Sequence, residues 1–147
     1  QSAVALDGWF FPLDQKTFSA QTKKPLLHLA QEEFLNLEIE GDINNSESGR
    51  INFDIHNSIL QNNSNSFMVY VKESLHYDFT DFKQIYIQDR PFTFPISGLG
   101  EIPKNTIKEI MNKSILEFFN YSLKNDTFDT TILDQHNKDI IADYDIN

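Results

Sequence analysis

Cysteine is absent from the 147 residues, which removes disulfides, thiolate zinc sites, iron–sulfur clusters and cysteine nucleophiles together. Either redox compartment suits such a chain. Positive charge is scarce: 12 Lys and Arg stand against 22 Asp and Glu, a formal net charge of −10. That is the wrong sign for neutralising a phosphate backbone, so nucleic acid is not an expected partner. Apolar runs such as Phe10-Phe11 and Ile115-Leu116 fall far short of the roughly 18 residues of a membrane span, and no transmembrane segment is expected. With five glycines, none forms a phosphate-cradling loop; Gly98-Leu99-Gly100 lacks the third glycine and the basic residue, and reads as a strand-to-helix turn. A basic region followed by an apolar run is missing at the start, and Gln1-Ser2 leads a stretch, residues 1–8, that reads as tag-derived or disordered.

What is present is an apolar share of 39% over a length that suits one domain, residues 1–147, with a core of its own. Thirteen Phe, one Trp and five Tyr fall mostly in runs with every second position apolar, the period of strands. Residues 34–43 and 51–55 alternate on either side of a polar turn and read as a hairpin. Residues 67–72 are apolar on both faces, which predicts a strand buried on two sides. Residues 75–80, 85–87 and 92–96 continue the series as an antiparallel meander, the last at an edge because Pro91 and Pro95 donate nothing to a ladder. Trp9, Phe10, Phe11 and Leu13, followed by the run 25–29, add one or two more strands.

From Pro103 to about Lys124 the period changes: Ile107, Met111, Ile115 and Phe118 follow helical spacing, widened by Ile110, Leu116, Phe119 and Leu123. One long amphipathic helix, opened by Pro103, should lie along the sheet. Residues 125–147 carry six Asp and one Lys, a formal −5; a strand at 127–133 and a turn at 135–138 lead into a weakly held acidic end, about 135–147.

Catalytic signatures are thin. No serine sits in G-x-S-x-G, and His28, His56, His76 and His136 lack the spacing that presents two nitrogens to one metal. His56 and His76 fall on outward positions of adjacent expected strands, as ordinary surface histidines do. Asp78 and Asp81 lie close together without being singled out as an acid–base pair, and residues 139–145 lack the pattern of a calcium loop. No metal or other cofactor is expected. The apolar surplus reads either as a filled core or as a groove for an acyl chain or a partner's sheet, with Phe67, Val69, Val71, Ile107, Met111, Ile115 and Phe118 as the candidate lining.

The order of elements, meandering strands, a G-L-G turn, a Pro-led helix and a final strand with a polar tail, resembles one unit of the tubular lipid-binding (TULIP-like) superfamily. Two bacterial branches are similar. The OrfX group of clostridial neurotoxin gene clusters shares the short length and the Asn/Ile/Lys-rich composition. The YceB-like periplasmic lipoproteins resemble Leu37-Glu38-Ile39-Glu40-Gly41-Asp42-Ile43 and Ile85-Tyr86-Ile87-Gln88-Asp89, with Pro103 opening the helix. The resemblance implies an α+β fold, an antiparallel meander sheet wrapped on the helix as a half-tube. It implies a non-enzymatic accessory protein, secreted or cytoplasmic, that binds lipid in the apolar seam or assembles with a larger OrfX-type partner. The alternative is a YceB-like lipoprotein of the periplasm or outer membrane, anchored through a cysteine outside this sequence; the alternative of another class is a carboxylate-dependent hydrolase. An Ile115→Asp variant separates core from groove: unfolding in a circular dichroism melt marks a closed core, whereas a folded chain that loses lipid or partner marks a groove.

Overall fold

The computed structural model describes residues 1–8, 24–32, 58, 65–81, 98–124 and 127–144. Four strands, β1 (Ala3–Leu6), β2 (Leu26–Gln31), β3 (Ser66–Val71) and β4 (Ile140–Tyr144), form one sheet in chain order. β1, β2 and β3 run parallel, with Leu6 opposite Leu29 and Gln31 opposite Val71; β4 returns antiparallel to β3. Among the described residues, α1 (Lys104–Lys124) and α2 (Thr131–Gln135) are helices and Ser58 is helical too, with a 3-10 turn at His76–Phe79.

The mixed α+β class with one long helix is as the sequence indicates; the antiparallel meander is not. Three of the four strands are parallel, and the reason shows in burial. β3 is buried at every position and β2 at all but its first, as strands covered on both faces are. Parallel neighbours need crossover connections of a dozen residues or more, and residues 7–25 and 32–65 supply that length. The alternation at 75–80 produces a 3-10 turn instead of a strand, because the Asp78 side chain accepts the Leu75 N–H at 2.8 Å and closes the turn locally. The strand expected at 127–133 is replaced by α2, where Asp129 Oδ1 accepts the Thr131 N–H at 2.9 Å; hydrogen bonding from the Thr131 side chain first, and from its N–H, holds the Asp129 carboxyl below its ordinary pKa. Residues 140–144 form β4, and residues 3–6, read as tag-derived or disordered, form the edge strand β1. The hairpin at 34–43 and 51–55, the runs at 85–87 and 92–96, Trp9 to Leu13 and His56 lie outside the described residues.

α1 begins beside Pro103, whose carbonyl accepts the Ile107 N–H at 3.1 Å, and its periodicity selects the face that meets the sheet. Ile107, Ile110, Ser114 and Phe118 are buried along that face, while Leu116 and Leu123 stay exposed on the other. The aromatic centre is Phe67 on β3: it stacks on Phe128 at 4.4 Å and meets Phe118 and Tyr121 edge-on at 6.1 and 5.2 Å. Tyr121 keeps its hydroxyl satisfied by donating to Asn65 Oδ1 at 2.9 Å. On the exposed side of α1, Lys113 donates to Glu109 and holds that carboxyl below its ordinary pKa. Phe118→Ala should destabilise the fold by about 3–5 kcal/mol, measured by urea unfolding, since the side chain is fully buried between helix and sheet.

Candidate active site

Parallel strands in an open α/β sheet gather their functional side chains beyond their carboxyl ends. Asp7 stands one residue past the end of β1, in the left-handed region at φ 47°, a conformation aspartate tolerates better than most residues. Its N–H extends the parallel ladder by donating to the Leu29 carbonyl at 2.6 Å. The next residue, Gly8, donates its N–H to Nε2 of His28, a fully buried side chain on β2, at 3.1 Å. The start of the turn after β1 is thus fixed from the neighbouring strand.

Asp7 is only 1% exposed. A carboxylate removed from water at that depth must be answered by hydrogen bonds. Oδ1 accepts the Gln31 N–H at 3.0 Å, and Oδ2 lies 2.7 Å from Nδ1 of His76. The carboxylate only accepts, so Nδ1 carries the proton and Nε2 is left as the basic nitrogen. The His76 side chain is 50% exposed, so a ring held on a buried acid along one edge, and tilted against Tyr77 at 5.6 Å, keeps half of its surface open.

His76 follows β3 after a sharp turn in which Ser74 Oγ donates to the Val71 carbonyl at 2.6 Å and Glu73 adopts φ 56°. The 98–102 segment, which leads into α1, lies against this turn. Gly98 O accepts the Tyr77 N–H at 2.8 Å, Gly100 N–H donates to Asp78 Oδ2 at 2.7 Å, and Ile102 N–H donates to the Glu73 carbonyl at 3.1 Å. A Cβ on Gly100 would collide with the Glu73 carbonyl oxygen and lie 2.7 Å from Asp78 Oδ2, so glycine is what permits the approach. A cavity of about 650 Å³ is lined by Leu6, Phe79, Ile107 and Met111 with Asp78, Thr80, Asp81, Lys108 and Asn112, so the chain neighbour of Asp7 and the turn that carries His76 both border it.

All seven residues picked from the sequence as an apolar seam come together in one hydrophobic cluster: Phe67, Val69, Val71, Ile107 and Phe118 buried, Met111 and Ile115 partly so. Of these, Ile107 and Met111 reach the cavity. Asp78 and Asp81 both line the cavity: Asp78 is buried and accepts backbone N–H groups, whereas Asp81 is exposed. Among the described residues no three imidazole or carboxylate side chains converge as metal ligands, and no helix is long and apolar enough to cross a membrane.

Sequence reasoning missed both members of the Asp7–His76 pair. Asp7 sat in the stretch read as tag-derived, and His76 on an expected outward strand position; 69 residues separate them, beyond any local motif. The available signal was an Asp-Gly step directly after the short apolar run 3–6, the mark of a strand ending in a functional turn.

Residues 1–140 match the family of platelet-activating factor acetylhydrolase, isoform II. No curated protein matches the chain significantly. The family match overturns the resemblance to the TULIP-like superfamily and to its OrfX and YceB-like branches, and with it the reading of a non-enzymatic accessory of a neurotoxin gene cluster. That resemblance rested on the order of strands and helix alone, a pattern shared by unrelated folds, and assumed antiparallel strands where β1, β2 and β3 are parallel. Of the earlier readings, the hydrolase fits best. Matched over all but its last seven residues, the chain belongs to the platelet-activating factor acetylhydrolase isoform II family.

Proposed function

We propose that Asp7 and His76 form the acid–base couple of an ester hydrolase acting on an acetyl ester of a phospholipid. The observation that carries this reading is the 2.7 Å contact between a buried carboxylate and a half-exposed imidazole beyond the carboxyl ends of parallel strands, in a chain of an acetylhydrolase family.

The roles follow from geometry. Asp7 is held by the Gln31 N–H and orients the ring through Nδ1. Nε2 of His76 is the base: it takes the proton from an attacking hydroxyl that the described residues do not themselves supply. The hydroxyl oxygen bonds to the acetyl carbonyl carbon as the carbonyl π electrons move onto its oxygen. When the tetrahedral species collapses, the bond to the alkoxide breaks and the imidazolium returns the proton to it; water, deprotonated by the same Nε2, then attacks the acetyl carbonyl, and acetate leaves as the proton returns to the hydroxyl oxygen. Asp7 remains ionised throughout and stabilises the charge on the ring. The cavity bordered by Leu6 and by the turn that carries His76, with Phe79, Ile107 and Met111, takes the apolar part of the ester.

His76→Ala should lower kcat for an acetylated glycerophospholipid by roughly 10²–10⁴-fold, and Asp7→Asn should do comparable damage while the far-ultraviolet circular dichroism is kept. Wild-type rates in both variants would overturn the reading. Met111→Trp, which fills the cavity, should raise KM with little change in kcat if the cavity holds the substrate.

A further inference from the structure

Asp78 stands out once Asp7 and His76 have been assigned. It is a second buried carboxylate, 3% exposed, two residues beyond the histidine, and it touches neither the Asp7 carboxylate nor the imidazole through any hydrogen bond found among the described residues. A turn of four residues can close on its own backbone, and this one does so: the Asp78 N–H donates to the Leu75 carbonyl at 2.9 Å. The side-chain bond to the Leu75 N–H closes the turn as well, but a neutral oxygen would serve for that, and the desolvation of a carboxylate opposes it.

What the carboxylate adds is a junction between two parts of the chain. Its Oδ2 accepts two backbone N–H groups, from Leu75 at 2.8 Å and from Gly100 at 2.7 Å. Leu75 immediately precedes His76, so one bond fixes the backbone at the base of the imidazole. Gly100 belongs to the segment that enters α1, so the other ties that base to the long helix. The carbonyls of Glu73 and Gly98 complete the junction through Ile102 and Tyr77, and the space where a Gly100 Cβ would sit is already occupied. The position of His76 against Asp7 is therefore set from the helix as well as from β3.

We infer that Asp78 is the positioning residue that keeps Nδ1 of His76 on the Asp7 carboxylate, by clamping Leu75 and Gly100 on a single oxygen. The inference rests on the reading of Asp7 and His76 as the acid–base couple. A displacement of about 1 Å in a catalytic group is enough to lose about 10²-fold in rate, so a clamp of this kind bears directly on turnover. Because one oxygen makes both bonds, its place in space matters more than its charge. An asparagine can offer the same oxygen, whereas alanine offers none and glutamate moves it by a methylene.

The test is the low-field Nδ1 proton resonance of His76 in the whole chain, labelled with ¹⁵N-histidine, followed in variants. Asp7→Asn should remove the resonance; if it does not, the Asp7–His76 reading fails and the positioning role falls with it. Given that control, Asp78→Asn should keep the resonance, while Asp78→Ala and Asp78→Glu should shift or broaden it with the fold retained. Kinetically, Asp78→Ala should lower kcat about 10²-fold. Should the alanine variant fail to fold, the glutamate variant decides. A wild-type resonance in Asp78→Ala or Asp78→Glu, or its loss in Asp78→Asn, would overturn the positioning role while leaving the acid–base couple standing.

Discussion

A carboxylate kept out of water at the end of β1 sets the terms for the rest of the site. Asp7 has two oxygens to satisfy at a depth where water does not reach, and the protein answers each from a different place: the Gln31 N–H from the end of β2, and the His76 imidazole from the turn after β3. Three consecutive parallel strands therefore converge on one side chain. The parallel direction is what makes this work, since it brings the three carboxyl ends to the same side of the sheet.

Around that side chain the chain conformation is fixed from several directions. Asp7 and Glu73 both occupy the left-handed region, each turning the chain sharply as it leaves a strand. Such conformations persist where neighbours over-determine them, and here Leu29, His28, Gln31 and Ile102 do so through hydrogen bonds. The open face of His76 stands in contrast to this rigid backing. A half-exposed imidazole held through Nδ1 on a buried acid is the arrangement that the proposed acyl transfer would use.

The hydrophobic core supports the site from behind. Phe67 holds Phe118, Tyr121 and Phe128 together, and so joins β3 to α1 and to the segment before α2. The N-terminal half of α1 carries Ile107 into that core and Met111 against it, and both line the cavity that Leu6 and residues 78–81 border. Core and site thus share residues, which explains why an apolar surplus on β3 and α1 looked from sequence like a binding seam.

The extent of α1 was legible because an amphipathic helix writes its face into the sequence every three to four residues, and Pro103 marks where it begins. β3 was legible as a two-sided apolar run for the same local reason. Strand direction was not, because alternation is identical in parallel and antiparallel strands and only the crossovers distinguish them. The turn at His76 was misread as strand because alternation over six residues also fits a segment closed by its own aspartate. The sequence by itself determined the helix, the central strand and the exclusion of cysteine chemistry. Only the tertiary structure decided that residues 7 and 76 meet, since the distance between remote residues is set by how parallel strands are stacked and not by any local spacing.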